Sequence, residues 1–126
     1  LVEICRIKGE LVMSDCIFCK IVKKEIPSQI VYENDAVLVF KDINPAAPIH
    51  WLVIPKQHID NVSDPRLIDG NLLQSIFIAI QHVAKVEGLT ENGFRVVVNY
   101  GRDAGEAVPH LHYHILAGRK LNWPPG

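Results

Sequence analysis

Between Asp69 and Glu87 the apolar residues Leu72, Leu73, Ile76, Phe77, Ile80, Val83 and Ala84 return at steps of three and four. That period predicts one amphipathic helix, stopped at Gly88, a residue suited to a left-handed cap. The flanking segments read as strands. Ile30 to Glu33 and Val37 to Lys41 are β-branched or aromatic runs joined by Asn34-Asp35-Ala36, which predicts a hairpin. Trp51 to Ile54 is a third strand ended by Pro55, and Phe94 to Asn99 and His110 to Ala117 are two more, with Pro109 tolerated at a strand start. With a single long helix among five strands, a repeating βαβ parallel sheet is disfavoured. An α+β fold on a five-stranded antiparallel sheet is expected.

A chain of 126 residues suits one domain with one cleft. Residues 1–12 carry no clear period, and Met13-Ser14-Asp15 follows them like a translation start. Residues 1–12 are therefore expected to be a leader or appended extension, and 13–126 the domain. Thirteen Lys and Arg against fourteen Asp and Glu leave a net charge of -1, without the basic excess that a nucleic-acid polymer requires. The longest apolar runs, Ala36 to Phe40 and Ile76 to Ile80, have five residues, far short of the roughly 20 of a membrane span. Three cysteines, Cys5 alone and Cys16 with Cys19 as Cys-x-x-Cys, make no even disulfide framework. A cytoplasmic protein without membrane or nucleic-acid partners is expected.

Three of the six histidines fall in His110-Leu111-His112-Tyr113-His114. On a strand, period two puts all three rings on one face, with Leu111, Tyr113 and Ile115 on the other. At about 3.3 Å per residue His110 and His114 lie about 13 Å apart, too far to share one ion with His112. Different tasks for the three, as nucleophile, orienter and phosphate ligand, fit better than a three-histidine metal cage. The loop from Tyr100 to Val108 exceeds the usual hairpin length. Its Gly101 and Gly105 suit a nest of backbone N–H groups facing a phosphate, or simply a flexible tip. The Cys16 and Cys19 pair is open to three readings: redox couple, buried thiols or metal ligands.

From about Cys16 onward the chain resembles the histidine triad superfamily of nucleotide hydrolases and transferases. The resemblance rests on His110 to Leu116, Phe40-Lys41-Asp42-Ile43, Pro48 to Pro55, Val97-Val98-Asn99 and the closing Trp123-Pro124-Pro125-Gly126. These endings look most like its nucleotide-binding branch, which hydrolyses purine nucleoside phosphoramidates. The resemblance implies a nucleophile at His112, phosphate binding by His114, and orientation by His110 with His50 behind it. It implies that Asp42 accepts the ribose hydroxyls, that Ile26, Phe40 and Ile43 form the base and sugar pocket, and that Asn99 and Gly105 lie toward the phosphate. Ala107 stands where the branch commonly has serine near the leaving group, which leaves protonation of that group in question.

Members with the Cys-x-x-Cys pair bind a structural zinc through two further histidines, here expected to be His50 and His110 beside Cys16 and Cys19. No cofactor is expected for catalysis. A homodimer is expected, with the tail from Lys120 to Gly126, Trp123 included, lying on the neighbouring subunit's cleft. The activity implied is hydrolysis of an adenosine 5'-phosphoramidate through a covalent nucleotidyl-histidine. The alternatives are a dinucleoside polyphosphate hydrolase with the same nucleophile, or a non-catalytic nucleotide-binding adaptor.

Overall fold

The structure, a computed structural model, describes residues 3–7, 10–14 and 16–126, the first two stretches as backbone only. Strands β1 (Glu3–Ile7) and β2 (Glu10–Ser14) pair antiparallel in a sheet of their own. Of the expected leader, residues 1, 2, 8 and 9 lie outside the described residues. The remaining elements are α1 (Ile17–Val22), β3 (Ile30–Glu33), β4 (Val37–Lys41), β5 (Ile49–Pro55), a short 3-10 helix (Pro65–Leu67), α2 (Leu72–Val86), α3 (Leu89–Asn92), β6 (Arg95–Val98) and β7 (Tyr113–Ala117). Strands β3 to β7 form one antiparallel sheet in the order β3-β4-β5-β7-β6. The expected α+β architecture with one long helix is therefore present.

Helix α2 starts where its apolar period does, at Leu72, and not at Asp69, because Gly70 at φ +112° stands outside the helical region. It ends where Gly88 turns left-handed at φ +76°. Its buried face, Ile76, Ala79, Ile80, Val83 and Ala84, packs on one side of the sheet with Val37, Val39, Trp51, Val53, Leu111, Tyr113 and Ile115. The short helix α1 covers part of the other side, placing Phe18 and Ile21 on Leu38, Phe40, Leu52 and Ile54. Two covered faces explain why Val37 to Phe40 are all buried and carry no polar alternation.

One expected strand is shorter than its pattern. β7 begins at Tyr113 rather than His110. The preceding residues find other partners: Leu111 N–H donates to the Ile59 carbonyl at 2.6 Å, and the His112 ring bonds the His110 carbonyl. The alternation of faces nevertheless persists through this segment. Leu111, Tyr113 and Ile115 enter the α2 core, while His110 and His112 lie edge-on to Phe18 on the α1 side. Cross-strand pairing then lines up Phe40, Leu52, His114 and Val97 across four strands.

Candidate active site

The orientation of each histidine follows from its hydrogen bonds, since a neutral imidazole has one donor and one acceptor. The buried His112 places Nδ1 2.8 Å from the His110 carbonyl oxygen. A carbonyl only accepts, so Nδ1 carries the proton and Nε2 holds a lone pair. That ring has the tautomer a nucleophile needs.

At His50, which is buried at the start of β5, Nδ1 accepts the Ala46 N–H at 2.9 Å. The His50 proton is therefore on Nε2, which lies 2.9 Å from His114 Nδ1 and 3.4 Å from Asp42 Oδ2. His114 Nδ1 accepts, so His114 Nε2 is a donor. That Nε2 is buried and finds no hydrogen-bond partner among the described residues. An unmet buried donor costs about 1–3 kcal/mol, and here it stands beside His112, with ring centroids 5.0 Å apart. Burial, then the neighbouring His112 and His50, pull the His114 pKa down to about 4 against a weaker opposing pull from Asp42. Near neutral pH His114 thus presents an N–H without a charge. A ring with a lone pair, His112, thus stands next to a ring with an unmet donor, His114, the two kinds of group that attack on phosphorus with a partner for its oxygens requires.

Asp42 closes the turn after β4 by accepting the Asn44 N–H on Oδ1 at 2.8 Å, and its Oδ2 faces His50. Ile43 follows on the same loop with its side chain in solvent, 89% exposed. Phe40 and Ile26 are packed in the smaller core behind the histidines, with Phe40 edge-on to Phe18 at 5.7 Å. Asn99 is half-buried just past β6, two residues beyond Val97, the cross-strand partner of His114. Ala107 lines a cavity of about 440 Å³ with Cys16, Ile17, His58 and Asp60. Trp123 stands 80% exposed on the tail, and no described contact ties it to the triad.

Of the two readings of the Gly101 and Gly105 loop, the phosphate nest does not form. Gly105 N–H donates to the Arg102 carbonyl, Glu106 N–H to the Gly101 carbonyl, and Gly101 N–H to the Glu106 carboxylate. The loop satisfies its own donors and offers none of these three to a phosphate.

His50, expected beside the cysteines as a zinc ligand, does not lie there; the ring beside them is that of His58. Cys16 Sγ, Cys19 Sγ, His58 Nδ1 and His110 Nδ1 all lie within 4.8 Å of one another. The reason is the antiparallel pairing of β5 with β7. It sets His50 opposite Leu116 and brings His110 to the other end of β5, where its Nε2–H donates to the Pro55 carbonyl at 2.9 Å. The seven residues of β5 separate its ends by roughly 20 Å, so the fourth ligand must come from beyond Pro55.

The quartet fits zinc in chemistry and in spacing. A tetrahedral shell with Zn–S about 2.3 Å and Zn–N about 2.0–2.1 Å has S···N edges of about 3.6 Å. The observed edges are 3.3 Å from Cys16 to His110, 3.2 Å from Cys19 to His58 and 3.6 Å from Cys19 to His110. Both rings are held with Nδ1 toward the sulfurs: His110 by Pro55, and His58 by donating Nε2–H to Asp60 at 2.8 Å. A carboxylate behind a ligating histidine is a common metal-site arrangement. Burial, first of all, lowers the His110 pKa to about 4, leaving the neutral ring a metal needs, and raises the Cys16 thiol above its ordinary value. Cys19 is disulfide-bonded in the structure, so it ligates as a thiolate only once that bond is reduced. A second group, Asp42, His50 and His114, also lies close enough for an ion, but its atoms are already joined by the tautomer chain described above.

Sequence reasoning missed His58, Asp60 and Phe18. His58 and Asp60 flank Ile59, whose carbonyl anchors Leu111, so the segment after Pro55 is tied to the triad through the backbone. No local pattern announces that tie.

A family model described as the HIT domain matches residues 23–121. The protein HitA of Neisseria gonorrhoeae is 47% identical over 104 residues, covering 82% of this chain and 96% of its own. An uncharacterised HIT-like protein of Synechococcus elongatus is 49% identical over 112 residues, covering 89% and 97%. Among solved structures, a HIT family hydrolase from Legionella pneumophila superposes with TM-score 0.84 at 46% identity, covering 89% of this chain and all of its own. A histidine triad protein from Clostridium difficile superposes with TM-score 0.82 at 52% identity, covering 86% and 94%. Such likeness extends over more than four fifths of the chain and includes the sheet and the histidines argued above to act together; the chain belongs to the HIT domain family.

Proposed function

We propose that this protein hydrolyses purine nucleoside phosphoramidates of the adenosine 5'-monophosphoramidate type through a nucleotidyl-His112 intermediate. The observation that carries the reading is the opposed pair of tautomers, with a lone pair at His112 Nε2 and a donor at His114 Nε2. The hydrolase named among the solved relatives supports the reaction class.

In the first step the His112 Nε2 lone pair forms a bond to phosphorus and the P–N bond breaks. The amine departs with that electron pair and takes up a proton from solvent, because Ala107 has no hydroxyl to relay one. His112 keeps its Nδ1 proton on the His110 carbonyl, which steadies the positive charge that develops on the ring. In the second step water attacks phosphorus, the P–Nε2 bond breaks, and a proton passes to solvent. The products are a nucleoside monophosphate, an amine and unchanged enzyme. Through both steps His114 Nε2–H donates to a phosphate oxygen. Asp42 takes the ribose hydroxyls, with Ile43 beside the base.

Nucleophile and phosphate donor are both imidazoles, so catalysis asks nothing of a metal. A zinc ion would be structural here: Cys16, His58, His110 and, once reduced, Cys19 would hold it. A homodimer places the tail with Trp123 on the partner's cleft; the exposed indole and the edge position of β6 support that arrangement. Its compartment is the cytoplasm. The test is mass spectrometry of protein quenched with adenosine 5'-phosphoramidate. A nucleotidyl mass on His112, lost in His112→Ala, is expected. An unmodified His112 alongside full turnover would overturn the covalent route.

A further inference from the structure

We propose that Arg119 is a positioning residue for the phosphate-facing donor of His114, acting through the Ala46 backbone and His50. The inference rests on the phosphoryl-transfer reading above.

Residues 42–48, between β4 and β5, carry Asp42 and Ile43 and have little core of their own, since only Ala47 is buried among them. The first half of this loop is closed locally, by Asp42 N–H on the His50 carbonyl and Asn44 N–H on Asp42. The returning half is held from outside. Arg119 Nη2 donates to the Ala46 carbonyl at 2.9 Å, while Nη1 of the same guanidinium donates to the Lys120 carbonyl at 3.0 Å. Gly118 comes just before, at φ +95°, and a Cβ there would lie 2.7 Å from Pro48 Cβ. Only glycine lets the chain leave β7 against Pro48 and bring Arg119 to Ala46.

Both backbone groups of Ala46 are therefore engaged, the carbonyl by Arg119 and the N–H by His50 Nδ1. The second bond sets the polarity of the site together with Asp42, whose Oδ2 lies 3.4 Å from His50 Nε2 and favours the same tautomer. While Ala46 N–H points at His50 Nδ1, the proton stays on His50 Nε2 and His114 presents an N–H to the phosphate. If Ala46 drifts away, His50 can carry its proton on Nδ1. Its Nε2 then accepts, His114 Nδ1 becomes the donor, and His114 Nε2 turns into a lone pair facing phosphate oxygens. No heavy atom of the triad has to move for this inversion. An exposed arginine, four hydrogen-bonding groups from the substrate, thus biases a two-state element at the reacting centre.

The test compares Arg119→Ala, Arg119→Lys and parent. The first readout is the ¹⁵N spectrum of the histidines without substrate, which reports which nitrogen of His50 and His114 carries the proton. Arg119→Ala is expected to shift both rings from pure Nε2–H toward a tautomer mixture at unchanged melting temperature. Arg119→Lys, which keeps one donor, restores part of the parent pattern. The second readout is kcat on adenosine 5'-phosphoramidate, expected to fall about three- to tenfold in Arg119→Ala, the size of one net hydrogen bond. Parent-like ¹⁵N patterns in Arg119→Ala overturn the proposal. If the parent itself fails to hydrolyse phosphoramidates, the functional reading falls while the ¹⁵N comparison still decides the relay.

Discussion

Replacing His58 by alanine tests whether His58 or His50 completes the proposed zinc shell. Two thiolates and two imidazoles bind zinc by about 10–16 kcal/mol at neutral pH. One ligand's share, a quarter, is about 2.5–4 kcal/mol, or roughly a 10²- to 10³-fold weaker site. At free zinc a hundredfold above the parent's Kd, the parent gains about 2.7 kcal/mol of stability. At that concentration the variant stands at or below its own Kd and gains about 0.4 kcal/mol or less. The difference, about 2.3 kcal/mol, corresponds to roughly 8–10 °C in Tm for a domain of this size. Loss of the His58–Asp60 contact adds little, because the Asp60 side chain is 59% exposed. Comparing each protein with and without zinc removes even that contribution. The assay is thermal unfolding and metal stoichiometry of parent, His58→Ala and His50→Ala, with thiols kept reduced. His50→Ala should keep the full zinc response, since its ring faces His114 and Asp42. A full response in His58→Ala, or a lost one in His50→Ala, would refute the geometric argument.

His112→Ala should abolish turnover and leave nucleotide binding largely intact; comparable single-turnover rates in variant and parent would remove the nucleophile assignment. His114 keeps its neutral form down to about pH 4, whereas an unfolded histidine takes up its proton near 6.5, so the unfolded state binds more protons between these values. Its contribution to stability is present above about 6.5 and is lost as pH falls toward about 4. In denaturant titrations His114→Asn should therefore flatten that acid limb, and an unchanged limb would contradict the shift. Ala107→Ser should speed an alkyl phosphoramidate more than an activated ester, by a factor at or below about 10²; equal gains on both would show that position 107 does not handle the leaving-group proton. Deleting Leu121 to Gly126 should alter selectivity among leaving groups, and identical kinetic constants across a substrate panel would count against the tail's role.

The elements with a long or strict period were legible in the sequence. The spacing from Leu72 to Ala84 located α2, and the alternation from His110 to Ile115 put Leu111, Tyr113 and Ile115 on the α2 side and the histidines on the other. Where hydrogen bonding departs from pattern, the reading failed. Nothing in His110-Leu111-His112 says that the Leu111 amide goes to Ile59 instead of a strand neighbour. Helix α1 has six residues, too few for a period, and its N-cap is a cysteine whose sulfur takes the Cys19 N–H. His50 and His58 flank the same strand, and spacing cannot choose between them. Strand direction can: once β7 runs antiparallel to β5, His110 must meet the end of β5 that His58 follows. Glycines alone did not make a nest, because the Glu106 side chain five residues from Gly101 claimed the donor.

The interior position of β7 bears on how this protein loses activity. His114 is carried on a strand hydrogen-bonded on both sides, by β5 and by β6. Its backbone amide can exchange with solvent only through an opening that breaks one of these ladders, and such openings in a central strand approach the free energy of global unfolding. Many enzymes inactivate by local fraying of a catalytic loop while most of the molecule stays folded. Here the His114 ring has no such early exit: on slow heating, its loss and the cooperative melting of the sheet are expected to be one event.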